Sequence, residues 1–170
     1  MALSPAQIRL IRKLGDFLHI ALPVVGFLLA VYKKRDQDFR VLLKSTVITS
    51  VLTHVIKFFL NMTFLGERPD GGSFSFPSGH TSSAFSAAAL ISSSYPETKV
   101  ISVGAYALAC FTGYSRIAAN RHHYRDVFAG AALGMLTSYH LSRSQSSDFG
   151  PNYAESNRTA DSTFSLRAKV

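Results

Sequence analysis

Long apolar runs are the feature that most narrows the folds open to this chain. A helix needs about 20 mostly apolar residues to cross the hydrocarbon of a bilayer. Leu14–Tyr32 (LGDFLHIALPVVGFLLAVY) meets that length, with Pro23 marking a kink. Phe39–Leu65 reads as a second span, interrupted by Lys44, His54 and Lys57. Thr81–Tyr95 reads as a third helix closed by Pro96, Val100–Ala119 as a fourth and Asp126–Ser142 as a fifth. No segment alternates strongly with the period of a strand. The expectation is therefore all-α, a polytopic membrane helix bundle of about five transmembrane helices. Ahead of them Ile8, Ile11 and Leu14 fall roughly on one side of Pro5–Leu14, which predicts a short N-terminal interfacial helix. From Arg143 onward the residues are polar, Ser/Asn-rich and aperiodic. The organisation expected is a membrane-embedded domain over residues 1–142 and a disordered polar tail over 143–170.

Charge agrees with this class. Only 16% of the 170 residues are charged, against about a quarter in a soluble domain. The net charge of +8 is carried in short segments between apolar runs, not on one continuous basic face, so a nucleic-acid partner is not expected. Lys33, Lys34, Arg35, Arg40, Lys99 and Arg143 fall on one side of a five-span topology. The other side carries Arg9, Arg12 and Lys13 with Arg68, Arg116, Arg121 and Arg125. With those last four set aside as residues of a site, the positive-inside rule makes the first side cytoplasmic and turns the 66–79 and 120–125 loops outward. The single cysteine, Cys110, rules out an internal disulfide and a cysteine metal cluster, and its apolar surroundings predict a core position. No signal bears on oligomeric state.

Ionisable residues beside membrane spans are costly and mark function by default. Three clusters fall on the outward side: Lys57 with ERPDGG (Arg68, Pro69), PSGH (Pro77–His80), and SRIAANRHHYRD (Ser115, Arg116, His122, His123, Asp126). Cations gathered around histidines and one carboxylate point to an anion site with acid–base chemistry. PSGH opens the third helix, and helix N-termini bind phosphate through unpaired N–H groups. Gly79 admits close approach of the anion, Ser78 adds a hydroxyl, and His80 exchanges protons near neutral pH. Those four letters alone describe a Pro-Ser-Gly turn with a histidine cap equally well. His122 and Asp126 stand four apart, on one helical face. A carboxylate on one ring nitrogen leaves the other free as a nucleophile. His123 reaches Asp126 at a spacing of three, so spacing alone does not separate the two histidines. Arg116 supplies a planar fork for phosphate oxygens. The third helix is too rich in Ser to face lipid all round, which predicts a central position. Gly130 and Gly134 form a GxxxG pattern, common by chance in spans. His19, His54 and His140 read as packing or cross-helix residues.

In these clusters the chain resembles the type 2 phosphatidic acid phosphatase family, the membrane branch of the acid phosphatase and vanadium haloperoxidase superfamily. The family pattern is K-x6-R-P, then P-S-G-H, then S-R-x5-H-x3-D. The second motif matches at Pro77–His80 and the third in full at Ser115, Arg116, His122 and Asp126, a spacing that selects His122 over His123. In the first motif Arg68 and Pro69 fit, but the lysine position holds Asn61 and the nearest lysine is Lys57, four residues back. Four residues are close to one turn, so Lys57 keeps the same face about 6 Å along the axis and is expected to serve. The count of five helices is one short of the six usual in the membrane branch.

The resemblance implies metal-independent, cofactor-free hydrolysis of a lipid phosphomonoester or pyrophosphate through a phosphohistidine. On that reading His122 attacks phosphorus with Asp126 holding its ring. Lys57, Arg68, Arg116, Ser78 and the Gly79 N–H neutralise the phosphoryl oxygens, and His80 protonates the leaving oxygen. Undecaprenyl pyrophosphate, phosphatidylglycerol phosphate, phosphatidic acid and lipid A phosphate all suit a site at the outer face of a bacterial inner membrane. A phosphotransferase with the same intermediate, or a non-catalytic binder of anionic lipid, are the competing readings.

Overall fold

The computed structural model describes residues 3–95 and 99–148. Five helices follow in order: α1 (Pro5–Tyr32), α2 (Asp36–Leu60), α3 (Gly79–Ser94), α4 (Lys99–Ala118) and α5 (Tyr124–Asp148). The described residues contain no strand, and the all-α expectation holds. By length and composition, α1, α2 and α4 suffice to cross a membrane. At 16 residues, α3 reaches only about 24 Å, and it packs against all four of the other helices. The Ser-rich helix is the centre of the bundle, as its composition predicts.

Two boundaries differ from expectation. Pro5–Leu14 is not a separate interfacial helix but the opening of α1. Ser4 caps it in a capping box with Gln7, Pro5 takes the first turn, and no break follows at Leu14. At the other end α5 runs to Asp148, past the expected limit at 142, because Ser, Arg and Gln do not stop a helix and Gly150-Pro151 comes only later. The rest of the expected tail, 149–170, lies outside the described residues, as does Pro96.

The packing is apolar outside, and within it small apolar side chains such as Ala84, Ala87, Ala88 and Ala109 are joined by buried hydroxyls. Phe17, Ile20, Val24, Leu28 and Val31 form an exposed stripe on α1, and Phe58, Phe59, Val103 and Phe128 are exposed on other helices. A stripe of that size belongs against lipid. Cys110 is exposed on α4, which corrects the expected core position: an apolar run in a membrane helix has a lipid side as well as a core side. Inside, Ser45, Ser86 and Ser138 close a buried triangle of hydroxyl contacts at 2.9–3.0 Å, and Thr53 meets Ser82 at 2.9 Å. Lipid tails are as apolar as leucine, so close contact and hydroxyl pairing hold such helices together. Gly130 and Gly134 are where α5 meets α3. A Cβ on them would stand 2.5 Å from the Ser78 carbonyl oxygen and 2.3 Å from that of Ser82. The GxxxG pattern is a real contact.

Candidate active site

The helix connections bring one end of every helix together. A cavity of about 860 Å³ opens between the first half of α1, the end of α2, the start of α3, the end of α4 and the loop into α5. Of the residues singled out in the sequence, Lys57, Arg68, Gly79, His80, Arg116 and His122 line it. Ser78 and Asp126 lie behind that wall, fully buried.

Ser78 is the N-cap of α3, with extended backbone. Its hydroxyl accepts from Thr81 at 2.9 Å, and its N–H donates to the Asp126 carbonyl at 2.9 Å. That bond joins the second motif to the third. After α4 the chain turns through Asn120, whose φ of 54° is a left-handed value asparagine accepts readily. The turn carries His122 back into the cavity. His122 Nδ1 lies 3.5 Å from Asp126 Oδ2. The same carboxylate oxygen accepts from the Ser75 hydroxyl at 2.5 Å and from the His123 N–H at 2.8 Å. His123 thus bonds the carboxylate through its backbone, while the His122 ring nitrogen faces the same oxygen at ion-pair distance.

The displaced lysine is present at the site. Lys57 Nζ donates to the carbonyls of Phe74 and Ser75 at 2.7 and 3.0 Å. Asn61, which holds the family's lysine position, accepts from the Phe74 N–H at 2.7 Å. The two residues pin one short loop between them. The cations also act on His122. Burial first, then Lys57, with Arg68 adding to it, lowers its pKa to about 4 against the opposing pull of Asp126. The ring is therefore neutral at pH 7, the form a nucleophile requires.

Three residues at the site escaped sequence reasoning. Asp16 of α1 binds Arg116 Nη1 at 2.6 Å and His80 Nε2 at 3.1 Å through one oxygen. His19, one turn on, sets its ring 3.9 Å from that of His80, centre to centre. Ser75 holds Asp126. A carboxylate inside an apolar run was a signal for Asp16, and His19 was read as a packing residue. Nothing distinguished Ser75 from the other serines. No group of three or more His, Cys, Asp or Glu among the described residues is placed to hold a metal.

Basic side chains, two histidines and a buried carboxylate gather at one end of a membrane-spanning bundle, which makes this cavity the candidate site of a membrane protein. A family model described as the PAP2 superfamily matches residues 38–148, and the chain belongs to that superfamily. It is 39% identical to a lipid A 1-phosphatase of Porphyromonas gingivalis over 107 residues, covering 62% of this chain and 24% of the relative. It is 36% identical to a lipid A 1-phosphatase of Helicobacter pylori over 97 residues, covering 54% of this chain and 50% of the relative. The chain thus spans half or less of the curated relatives it matches. The crystal structure of Aquifex aeolicus LpxE superposes with a TM-score of 0.60 at 26% identity, covering 84% of this chain and 96% of that one. A Bacillus subtilis PAP2-type phosphatidylglycerolphosphate phosphatase shares the fold, with a TM-score of 0.67 at 24% identity, over 84% of this chain and 78% of that one.

Proposed function

We propose that the chain is a metal-independent lipid phosphatase that works through a phosphohistidine. The observation that carries this reading is the placement of His122, backed by buried Asp126, in the same cavity as His80, Lys57, Arg68 and Arg116. The His122 Nε2 lone pair attacks phosphorus while the bond to the leaving oxygen breaks and His80 gives that oxygen a proton. In the second step a water oxygen attacks phosphorus, the P–N bond breaks, and His80 takes the water's proton. Lys57, Arg68, Arg116 and the start of α3 balance the phosphoryl charge, the main demand of phosphoryl transfer.

The favoured substrate is the 1-phosphate of lipid A, the substrate for which the P. gingivalis and H. pylori relatives are named. Lys33, Lys34, Arg35 and Arg40 lie at the α1–α2 turn, the end of the bundle away from the cavity. A cytoplasmic position for them puts the site on the periplasmic face of an inner membrane. The test is phosphate release from a panel of lipid phosphates by the purified protein and by His122→Ala. The expected result is release by wild type, greatest on lipid A 1-phosphate, and none by the variant, which still binds lipid. Equal behaviour of the two proteins across the panel would refute catalysis.

A further inference from the structure

We propose that Asp16 is a positioning residue for the leaving-group step: one carboxylate oxygen ties the acid His80 to the phosphate clamp Arg116, so that the two keep a fixed relation. The proposal rests on the phosphatase reading above. Asp16 lies outside the part of the chain that the family model matches, 38–148.

A carboxylate two turns and more into an apolar helix is expensive unless something holds it. Asp16 is held by a hydrogen bond from Arg116 and stands within ion-pair distance of His80. Its Oδ1 accepts from Arg116 Nη1 at 2.6 Å and stands 3.1 Å from His80 Nε2. Arg116 has a side chain only 4% exposed and depends on α1 for its orientation. Its Nη2 donates to the Arg12 carbonyl at 2.8 Å, and only its Nε bond, 3.1 Å to Ser115, stays within α4. The helices are pressed together at this point. A Cβ on Gly15 would fall 1.8 Å from Ser115 Oγ and 2.9 Å from Arg116 Nη2. Any larger residue at 15 would push α1 away from Ser115 and Arg116.

His80 is gripped from two sides. Asp16 takes Nε2, and His19 lies tilted at 39° over the ring. With Nε2 engaged, Nδ1 is the nitrogen left to exchange a proton with the leaving oxygen or the attacking water. Asp16 thus acts through His80 and Arg116, without itself touching phosphorus.

A positioning role makes a graded demand that a purely structural one does not. Leaving groups that depart as stable anions need no proton, whereas an alkoxide does, and positioned acid–base groups contribute about 10²–10⁴-fold. The experiment compares Asp16→Asn and Asp16→Ala on a lipid phosphomonoester and on p-nitrophenyl phosphate, at saturation. Asp16→Ala is expected to lower kcat on the nitrophenyl ester through the loosened Arg116, and on the lipid by about 10²-fold more through His80. Asp16→Asn, whose amide oxygen still accepts from Arg116 but carries no charge for His80, is expected to keep more activity than Asp16→Ala. Equal losses on both substrates would overturn the proposal, as would no loss on either. A variant faster than wild type would also overturn it, by showing that Asp16 occupies the phosphate's place. Wild-type turnover of the lipid in the same assay tests the phosphatase reading separately. Thermal unfolding of each variant in detergent identifies a loss that is only misfolding.

Discussion

Replacing Gly134 by alanine would add one carbon at the tightest point between α5 and α3. That carbon would stand 2.3 Å from the Ser82 carbonyl oxygen and 2.8 Å from the Ser86 nitrogen, whereas real Cβ atoms essentially never come closer than 3.0 Å. Both neighbours are backbone of the central helix, so neither can turn aside. The helices must part by about 0.7 Å or more, a shift the dense interior resists. Overpacking of this kind costs about 1–3 kcal/mol. Chemistry should suffer with stability, because α5 starts at Tyr124 and carries Asp126 in its first turn, bonded through its carbonyl to Ser78. A misplacement of 1 Å can cost about 10²-fold in rate. The assay is thermal unfolding in detergent together with phosphate release. Gly104→Ala is the control, since its Cβ would meet nothing within 4 Å. If Gly134→Ala matched Gly104→Ala in both measurements, close packing of α5 on α3 would not be what sets the site.

Other outcomes follow from the same geometry. His122 protonates only as pH falls through about 4, so kcat/KM should lose the nucleophile there and not near 6.5. Lys57→Met removes a cation that opposes this protonation, and the acid limb of the profile should move to higher pH. Ser75→Ala takes one of two donors from a fully buried carboxylate oxygen and should cost about 1.5–3 kcal/mol of stability, with a loss of activity; a stability unchanged in thermal unfolding would contradict this. Activity should survive excess EDTA, and loss that zinc or magnesium restores would mean that a metal takes part.

How much was legible in advance follows from what each signal depends on. The five long helices and the central place of α3 came from local properties, and the candidate site residues from local properties together with the family motifs. Apolar runs are set by bilayer thickness, and the i, i+4 spacing of His122 and Asp126 puts both on one helical face whatever surrounds them. The start of α3 as an anion site follows from helix termini in general. The structure decided what depends on contacts between distant segments. Asp16 and Arg116 are 100 residues apart, and Ser75 and Asp126 are 51 apart; only packing of α1 on α4, and of the loop against α5, makes them neighbours. The same holds for Gly134. Its motif is written in the chain, but whether it faces lipid or a carbonyl 2.3 Å away is a matter of how the helix is turned. Sequence by itself determined the helices and their membrane character, because those follow from hydrophobicity and helical period, and its motifs named the candidate site residues. Tertiary structure alone decided which side chains hold the reacting ones in place, because that takes donors and acceptors from helices the chain separates.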